Sequence, residues 1–278
     1  MKKNSFIVSF ALCMVLAAPL EAQILSRGDL FGPGAPPPMI GVELGLGQHT
    51  QNGTFQAICQ CQFSNASGNG FLAGLLFELP VSYEWTIGLG VKFDFKGYTA
   101  TTNVLETATV TFSSPTNPND SVSTGGLGIE RDAKIRETFL VLAPFLRYEF
   151  ARNGPFVQAG PGISFLLSSN FTHTRILSSS TITLSDGTTI SNVRFDNGTR
   201  QEEIENGKIP NVASLRLSAL ATVGWNILVS DNAVLAPMVT FDIPFTTVRP
   251  NTAPGPSGAD NWKITSLYFS AGLKYKLD

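Results

Sequence analysis

The sequence holds two histidines and three cysteines, so its stock of nucleophiles, bases and soft metal ligands is small. A lipid deacylase or acyl transferase would need a nucleophile, a histidine and a carboxylate converging at one place. His49 is followed by Thr50, and His173 stands between Thr172 and Thr174 with Ser168 and Ser169 close by. No spacing marks a triad, so both histidines are expected as solvated loop residues and no catalytic residue is assigned. Cys59 and Cys61 form a C-x-C pair. A disulfide between them would close a small, strained and redox-labile ring. A local disulfide and two free thiols fit equally, and pairing between two molecules stays open. A metal site needs further ligands, of which only His49 is near, so neither metal nor cofactor is expected.

The remaining chemistry is ionic. Glu43, Glu78, Asp94, Glu137, Glu149 and Asp242 and the cations Lys92, Lys96, Arg147, Arg216, Lys274 and Lys276 all fall on one parity of short alternating stretches. Trp85, Ile87, Leu89, Val91, Phe93 and Phe95 occupy one parity, for example, while Thr86, Gly88, Gly90, Lys92, Asp94 and Lys96 occupy the other. A strand points successive side chains to opposite sides, so each stretch has one apolar side and one small or charged side.

Eight stretches carry this pattern: Ile40–Leu46, Phe71–Val81, Trp85–Phe95, Leu140–Phe150, Val157–Leu167, Leu215–Ile227, Leu235–Phe245 and Leu267–Tyr275. Tight turns near Ser82 to Glu84, Arg152 to Gly154 and Ser230 to Asn232 alternate with long connections around 48–69, 99–132, 168–211 and 247–263. The expected fold is therefore all-β: an eight-stranded antiparallel up-and-down transmembrane β-barrel with four long extracellular loops and short periplasmic turns. Within the third loop, Thr181 to Leu184 and Thr188 to Val193 flank Ser185-Asp186-Gly187, a hairpin signal that would extend the barrel wall above the membrane.

A lipocalin-like soluble barrel would turn its apolar side inward. The outward reading is preferred because the apolar set carries no charge in the central part of any strand, as lipid contact demands. The other side is rich in Gly, Ser and Thr, which a narrow filled interior requires. Trp85, Tyr148, Phe150, Trp225 and Tyr275 fall at turn-proximal ends, where an interfacial aromatic girdle sits. Because the inward charges balance in sign, Glu43, Glu78, Lys92, Asp94, Glu137, Arg147, Glu149, Arg216, Asp242 and Lys274 are expected as a lumenal salt-bridge network. A proton or solute path is the alternative.

The first 22 residues read as a signal peptide: Lys2 and Lys3, an apolar run from Phe6 to Ala18, and cleavage after Ala22. Cys13 lies inside that run without a lipoprotein motif. Residues 23–38 form a Pro/Gly-rich leader and 39–278 the barrel. The 278 residues are 43% hydrophobic and 14% charged with net charge -2, so nothing invites nucleic acid.

The strands and the closing segment from Leu267 to Leu277 make the chain resemble the outer membrane β-barrel domain family, in the group of PorT-like barrels and with likeness to small barrels of OmpA and OmpX type. The resemblance spans about Ile40 to Asp278. It implies location in the bacterial outer membrane, contact with its lipids, insertion by the barrel-assembly machinery, and a structural or surface-interaction role through loops that meet an extracellular partner. Transport of small solutes or hydrophobic compounds is the second expectation, and a lipid-modifying enzyme the third. Barrels of this kind often end in an aromatic residue, whereas this chain ends Leu277-Asp278 with Tyr275 before them.

Overall fold

The computed structural model describes residues 36–56, 62–112, 120–151, 153–183, 187–209, 211–248 and 262–277. The signal segment, most of the leader, and Cys59 and Cys61 lie outside these. In chain order the strands are β1 (Met39–Asn52), β2 (Phe55–Gln56), β3 (Gln62–Phe63), β4 (Ala66–Pro80), β5 (Trp85–Phe112), β6 (Asp120–Glu149), β7 (Pro155–Leu177) and β8 (Thr181–Thr183). They continue with β9 (Thr189–Ser191), β10 (Arg194–Phe195), β11 (Gln201–Gly207), β12 (Leu215–Trp225), β13 (Ile227–Ser230), β14 (Ala233–Pro244) and β15 (Lys263–Lys276).

Eight of them close a ring. Each of β1, β4, β5, β6, β7, β12, β14 and β15 pairs antiparallel with the next, and β15 returns to β1 with Ile40 opposite Tyr275 and Leu46 opposite Phe269. Closure leaves no sheet edge within the ring, the condition for placing strands in hydrocarbon. At one end the chain reverses in the short links after β4, β6 and β13, where Val81 N–H donates to Trp85 O at 2.8 Å and Asn153 takes a φ of 54°. Asn is among the few residues that adopt that left-handed geometry readily.

The apolar parity faces outward on all eight strands. Leu44, Leu46, Leu75, Phe93, Leu146, Val223, Phe241 and Phe269 are exposed, Leu46 by 71%. In a water-soluble barrel these residues would be inside. The inside is more apolar than the sequence pattern suggests. Leu72 and Leu76 of β4, Phe139, Val141, Ala143 and Phe145 of β6, Phe156 of β7 and Met238 of β14 are buried beside the charges. Glycine makes room for them: a Cβ on Gly88 would lie 2.1 Å from the Phe145 ring.

The expected long loop 99–132 is largely strand. β5 has 28 residues and β6 has 30, roughly 90 Å of extended chain each at about 3.3 Å per residue. A tilted strand needs only about 9–11 residues to cross a bilayer. Beyond the outward apolar belt the same strands reverse their polarity. Inward positions become Tyr98, Ala100, Ala108 and Val110 on β5 and Leu127, Ile129, Ala133 and Ile135 on β6, all buried, while Thr101, Asn103, Lys134 and Arg136 point out. The wall thus follows membrane patterning below and soluble patterning above.

Strand β7 adds a second change of rule. Thr138 pairs with Ser168 but Phe139 pairs with Leu166, a bulge that leaves Leu167 and Ser168 both outward. One extra residue flips every side chain beyond it, so Ser169, Phe171 and His173 face inward. The expectation of solvated histidines is corrected for both residues. His49 and His173 are fully buried, because β1 and β7 run on past Leu46 and Leu167. Lys276 is also corrected: it sits at the turn end with Nζ 2.5 Å from Asp231 O, outside the interior. The hairpin signal around Gly187 corresponds to β8 paired with β9, a separate two-stranded sheet rather than an extension of the wall.

Candidate functional site

At the short-turn end, Arg147 closes the interior. It donates to both carboxylate oxygens of Glu78 at 2.7 and 2.6 Å and to Gln158 Oε1 at 2.9 Å. Its guanidinium stacks 4.3 Å over the Phe156 ring. Lys274 reaches the same Glu78 at 3.0 Å and Asn226 at 2.8 Å, and Asn226 in turn donates to Glu149 at 2.9 Å. β4, β6, β7, β15 and the break between β12 and β13 are thereby tied together across the lumen. Full hydrogen bonding is what lets such charges sit inside a low-dielectric interior.

The next layer is apolar, formed by Leu76, Phe156, Ala236 and Met238. Above it lie two further ionic groups. Lys92 meets Glu43 at 2.7 Å, and Ser270 donates to Glu43 at 2.8 Å. Lys96 is shared between Asp242 at 2.9 Å and Asp94 at 3.3 Å, and Tyr268 donates to Asp94 at 2.6 Å. His49 Nδ1 lies 2.9 Å from Ser266 Oγ, which also accepts from Lys96. A Cβ on Gly70 would lie 2.5 Å from the His49 ring, so glycine is what admits the imidazole. Between these groups remains a cavity of about 30 Å3 bounded by Lys92, Asp94, Ser164, Ser218, Thr240 and Asp242, enough for roughly two waters.

The outer layer couples Glu137 to Arg216 at 2.9 Å and to Tyr98 at 2.8 Å. Over it lies an aromatic cap. Phe55 stacks on Trp262 at 4.6 Å and on Phe63 at 5.0 Å, with Tyr98, Ile135 and Phe171 completing the cluster. His173 packs edge-on to Phe63 at 5.8 Å. Burial holds its imidazole below the usual range for histidine, Arg131 lowers it further, and Glu106 opposes them.

All ten network residues read from parity thus lie within the barrel in ionic contact, and the structure divides them into four groups. Missing from that reading are Tyr98, Gln158, Asn226, Ser266, Tyr268 and Ser270, which complete the hydrogen bonding. Tyr98 and Tyr268 sit on the inward parity, and extending the parity rule to aromatic residues would have found them. Trp85, Tyr148, Phe150, Trp225 and Tyr275 all stand at the short-turn end, with Trp85 and Tyr148 5.0 Å apart and Tyr148 and Phe150 5.2 Å apart. Exposed Tyr83 stands among them. Ser168 points outward and Ser169 inward, so the serines near His173 do not form one constellation with it. Among the described residues no group of His, Cys, Asp and Glu is arranged to hold a metal ion.

A closed eight-stranded ring with an apolar exterior and an ionic interior defines an outer membrane barrel. A family model described as outer membrane protein β-barrel domain matches residues 37–248, and the chain belongs to that family. The protein resides in the bacterial outer membrane. The match ends before β15, the strand that closes the ring. Among solved structures the chain is similar to OprG from Pseudomonas aeruginosa, with 10% identity over 87% of this chain and 98% of that one, at a TM-score of 0.34. It is likewise similar to Ail of Yersinia pestis, with 11% identity over 86% and 99% at 0.32. The outer membrane protease OmpT from Escherichia coli gives 13% identity over 92% and 99%, also at 0.32. No curated protein matches the sequence.

Proposed function

We propose that this barrel is a non-enzymatic surface-interaction protein: it presents the β-extension above the membrane and keeps its lumen closed to solutes. The observation that carries the reading is the filling of the lumen. The Arg147–Glu78–Lys274 group, the Leu76–Phe156–Met238 layer, the ionic pairs above them and the Phe55–Trp262 cap succeed one another along the axis. A conducting pore would need a continuous wet path and a bias of charge along it.

The upper parts of β5, β6 and β7 support the second half of the reading. They carry a small core of their own, with Val110, Leu127, Ile129 and Leu177 packed against Ile190, Val193 and Phe195 from the segment that returns toward β11. Glu106 pairs with Arg131 and Arg175 with Glu202 along the same structure. A rigid projection of this kind is suited to display, since scaffolded connecting segments commonly carry recognition. The acyl chains of the membrane are the partner of the wall below it. The test is conductance in planar lipid bilayers: the protein and its Trp262→Ala variant should both be electrically silent. Steady channels in the unaltered protein would overturn the closed lumen and favour solute transport.

A further inference from the structure

The pairing of β5 changes abruptly at Ala100. Up to that residue β5 is held on one side by β4, with Ala100 opposite Ala66, and on the other by β6. Beyond it β4 is gone, because the chain before Ala66 turns into the mouth, where Phe63 is buried in the cap. Pairing on that side resumes only at Val110 and Thr111, opposite Phe195 and Arg194 of β10. From Thr101 to Thr109, among the described residues, the β4 side of β5 has no strand partner. Among the described residues, every second residue there has no ladder partner on that side for its backbone N–H and C=O.

Exposed sheet edges are normally protected by short length, lysine, proline or a bulge on the edge strand. The sequence from Thr101 to Thr109, TTNVLETAT, has no proline or lysine. Its single charge, Glu106, is engaged with Arg131. Outward along the edge stand Thr101, Asn103, Leu105 and Thr107, all exposed, with Leu105 78% exposed although it lies far above the lipid-facing belt. The other edge of the same extension contrasts with it: β11, which among the described residues pairs only with β7, carries Glu202, Glu203 and Glu205. One edge is guarded by charge and the other is open.

We infer that the open edge of β5, Thr101 to Thr109, is a docking site for an extended polypeptide segment of another protein, which adds as a strand beside β5. This rests on the surface-interaction reading above and names the surface it uses. A row of unpaired backbone donors and acceptors selects for a polypeptide, because only a backbone repeats the complementary groups at that spacing. The outward row of Thr101, Leu105 and Thr107 selects for β-branched or small apolar side chains opposite it. The vacant position lies directly above the end of β4, within this barrel's own circumference. A wall strand of a neighbouring barrel in the same membrane would run into β4 there, so the segment must descend from outside the cell.

The probe is a fluorescein-labelled peptide of alternating valine and threonine, matched in length to Thr101–Thr109 and flanked by lysines for solubility. The control is the same peptide N-methylated on alternate residues, which cannot complete a ladder. With the full barrel in lipid nanodiscs, the first peptide should bind saturably by fluorescence anisotropy and slow hydrogen exchange at residues 101–109. The control should bind about tenfold or more weakly, and Leu105→Lys and Thr107→Lys should each weaken the first peptide by about tenfold. Glu203→Lys on β11 should bind as the unaltered protein does. Heat-modifiable gel migration verifies that each variant is folded. Equal binding of both peptides, protection at 201–207 in place of 101–109, or no protection at all overturns the docking site. So does a protein dimer that protects 101–109 without peptide, which would assign the edge to a second copy. Peptide failure with silent bilayers removes the edge alone; channels remove the closed-lumen reading whatever the peptide does.

Discussion

Arg147 and Glu78, 69 positions apart in sequence, meet inside the barrel through two parallel hydrogen bonds of 2.7 and 2.6 Å, with both side chains sealed from solvent. Removing one member of such a pair leaves a buried charge without its partner, which costs about 3–5 kcal/mol. Arg147→Ala should therefore lower the unfolding free energy of the folded barrel by about that amount. Glu78 would keep Lys274, so the loss should fall toward the lower limit. The triple variant Arg147→Met, Glu78→Leu, Lys274→Met should be milder than the double variant Arg147→Met, Glu78→Leu, which strands the buried Lys274 ammonium. Urea titration read by gel mobility checks these variants, and a triple variant worse than the double one would contradict the account.

Lys96 stands between two carboxylates, and the asymmetry can be measured. Asp94 and Asp242 compete for one ammonium, so Asp94→Asn keeps the Lys96–Asp242 contact and an acceptor for Tyr268. It should cost no more than about 1 kcal/mol, the scale of one weakened hydrogen bond. Lys96→Met strands two neighbouring carboxylates and should cost about 3 kcal/mol or more. The two variants compared under one set of conditions decide the matter; similar costs would mean that the three groups do not act as described.

Leu44 and Leu105 are both exposed, but one faces acyl chains and the other water. A basic residue at mid-belt on the lipid side of a barrel costs about 2–4 kcal/mol. Leu44→Arg should lose that much, whereas Leu105→Arg should change stability by less than about 0.5 kcal/mol, as ordinary surface substitutions do. Equilibrium unfolding in lipid vesicles distinguishes them. Equal effects would mean that the apolar belt reaches to Leu105 or does not face lipid at Leu44.

The contrast between Leu44 and Leu105 also explains what the sequence could and could not disclose. Lipid contact forces unbroken apolar alternation, so Ile40 to Leu46, Trp85 to Phe95 and Leu267 to Tyr275 announce both their strand state and their outward side. The inward charges follow by parity. Past the lipid belt that rule reverses, and Thr101, Asn103 and Thr107 outside with Ala100, Ala108 and Val110 inside resemble a polar loop to a reader tracking one apolar side. At Leu167 and Ser168 the bulge shifts the parity by one residue, and no local residue type marks it. The burial of His173 follows from that shift, and the burial of His49 from β1 continuing to Asn52. The cap was hidden for another reason: Phe55 and Phe63 come from one connection and Trp262 from another, and only tertiary packing brings them together.

Burial of His173 among Phe63, Phe171 and the Arg131 side of the wall makes the cap sensitive to acid. The imidazole is held neutral, with its proton affinity reduced first by desolvation and then by Arg131, while Glu106 acts in the opposite sense. In an opened cap the same side chain would titrate near its ordinary value of about 6.5. The opened form therefore takes up a proton that the closed form refuses. Cap stability is complete above about pH 6.5 and declines as pH falls toward the lowered folded value. Trp262 fluorescence, in protein whose Trp85 and Trp225 are replaced by Phe, should show the cap loosening as pH falls below about 6.5 while the barrel keeps its folded gel mobility. His173→Phe fills the same apolar site without a titrating group and should flatten that dependence. A slope that survives in His173→Phe would place the acid response elsewhere in the wall.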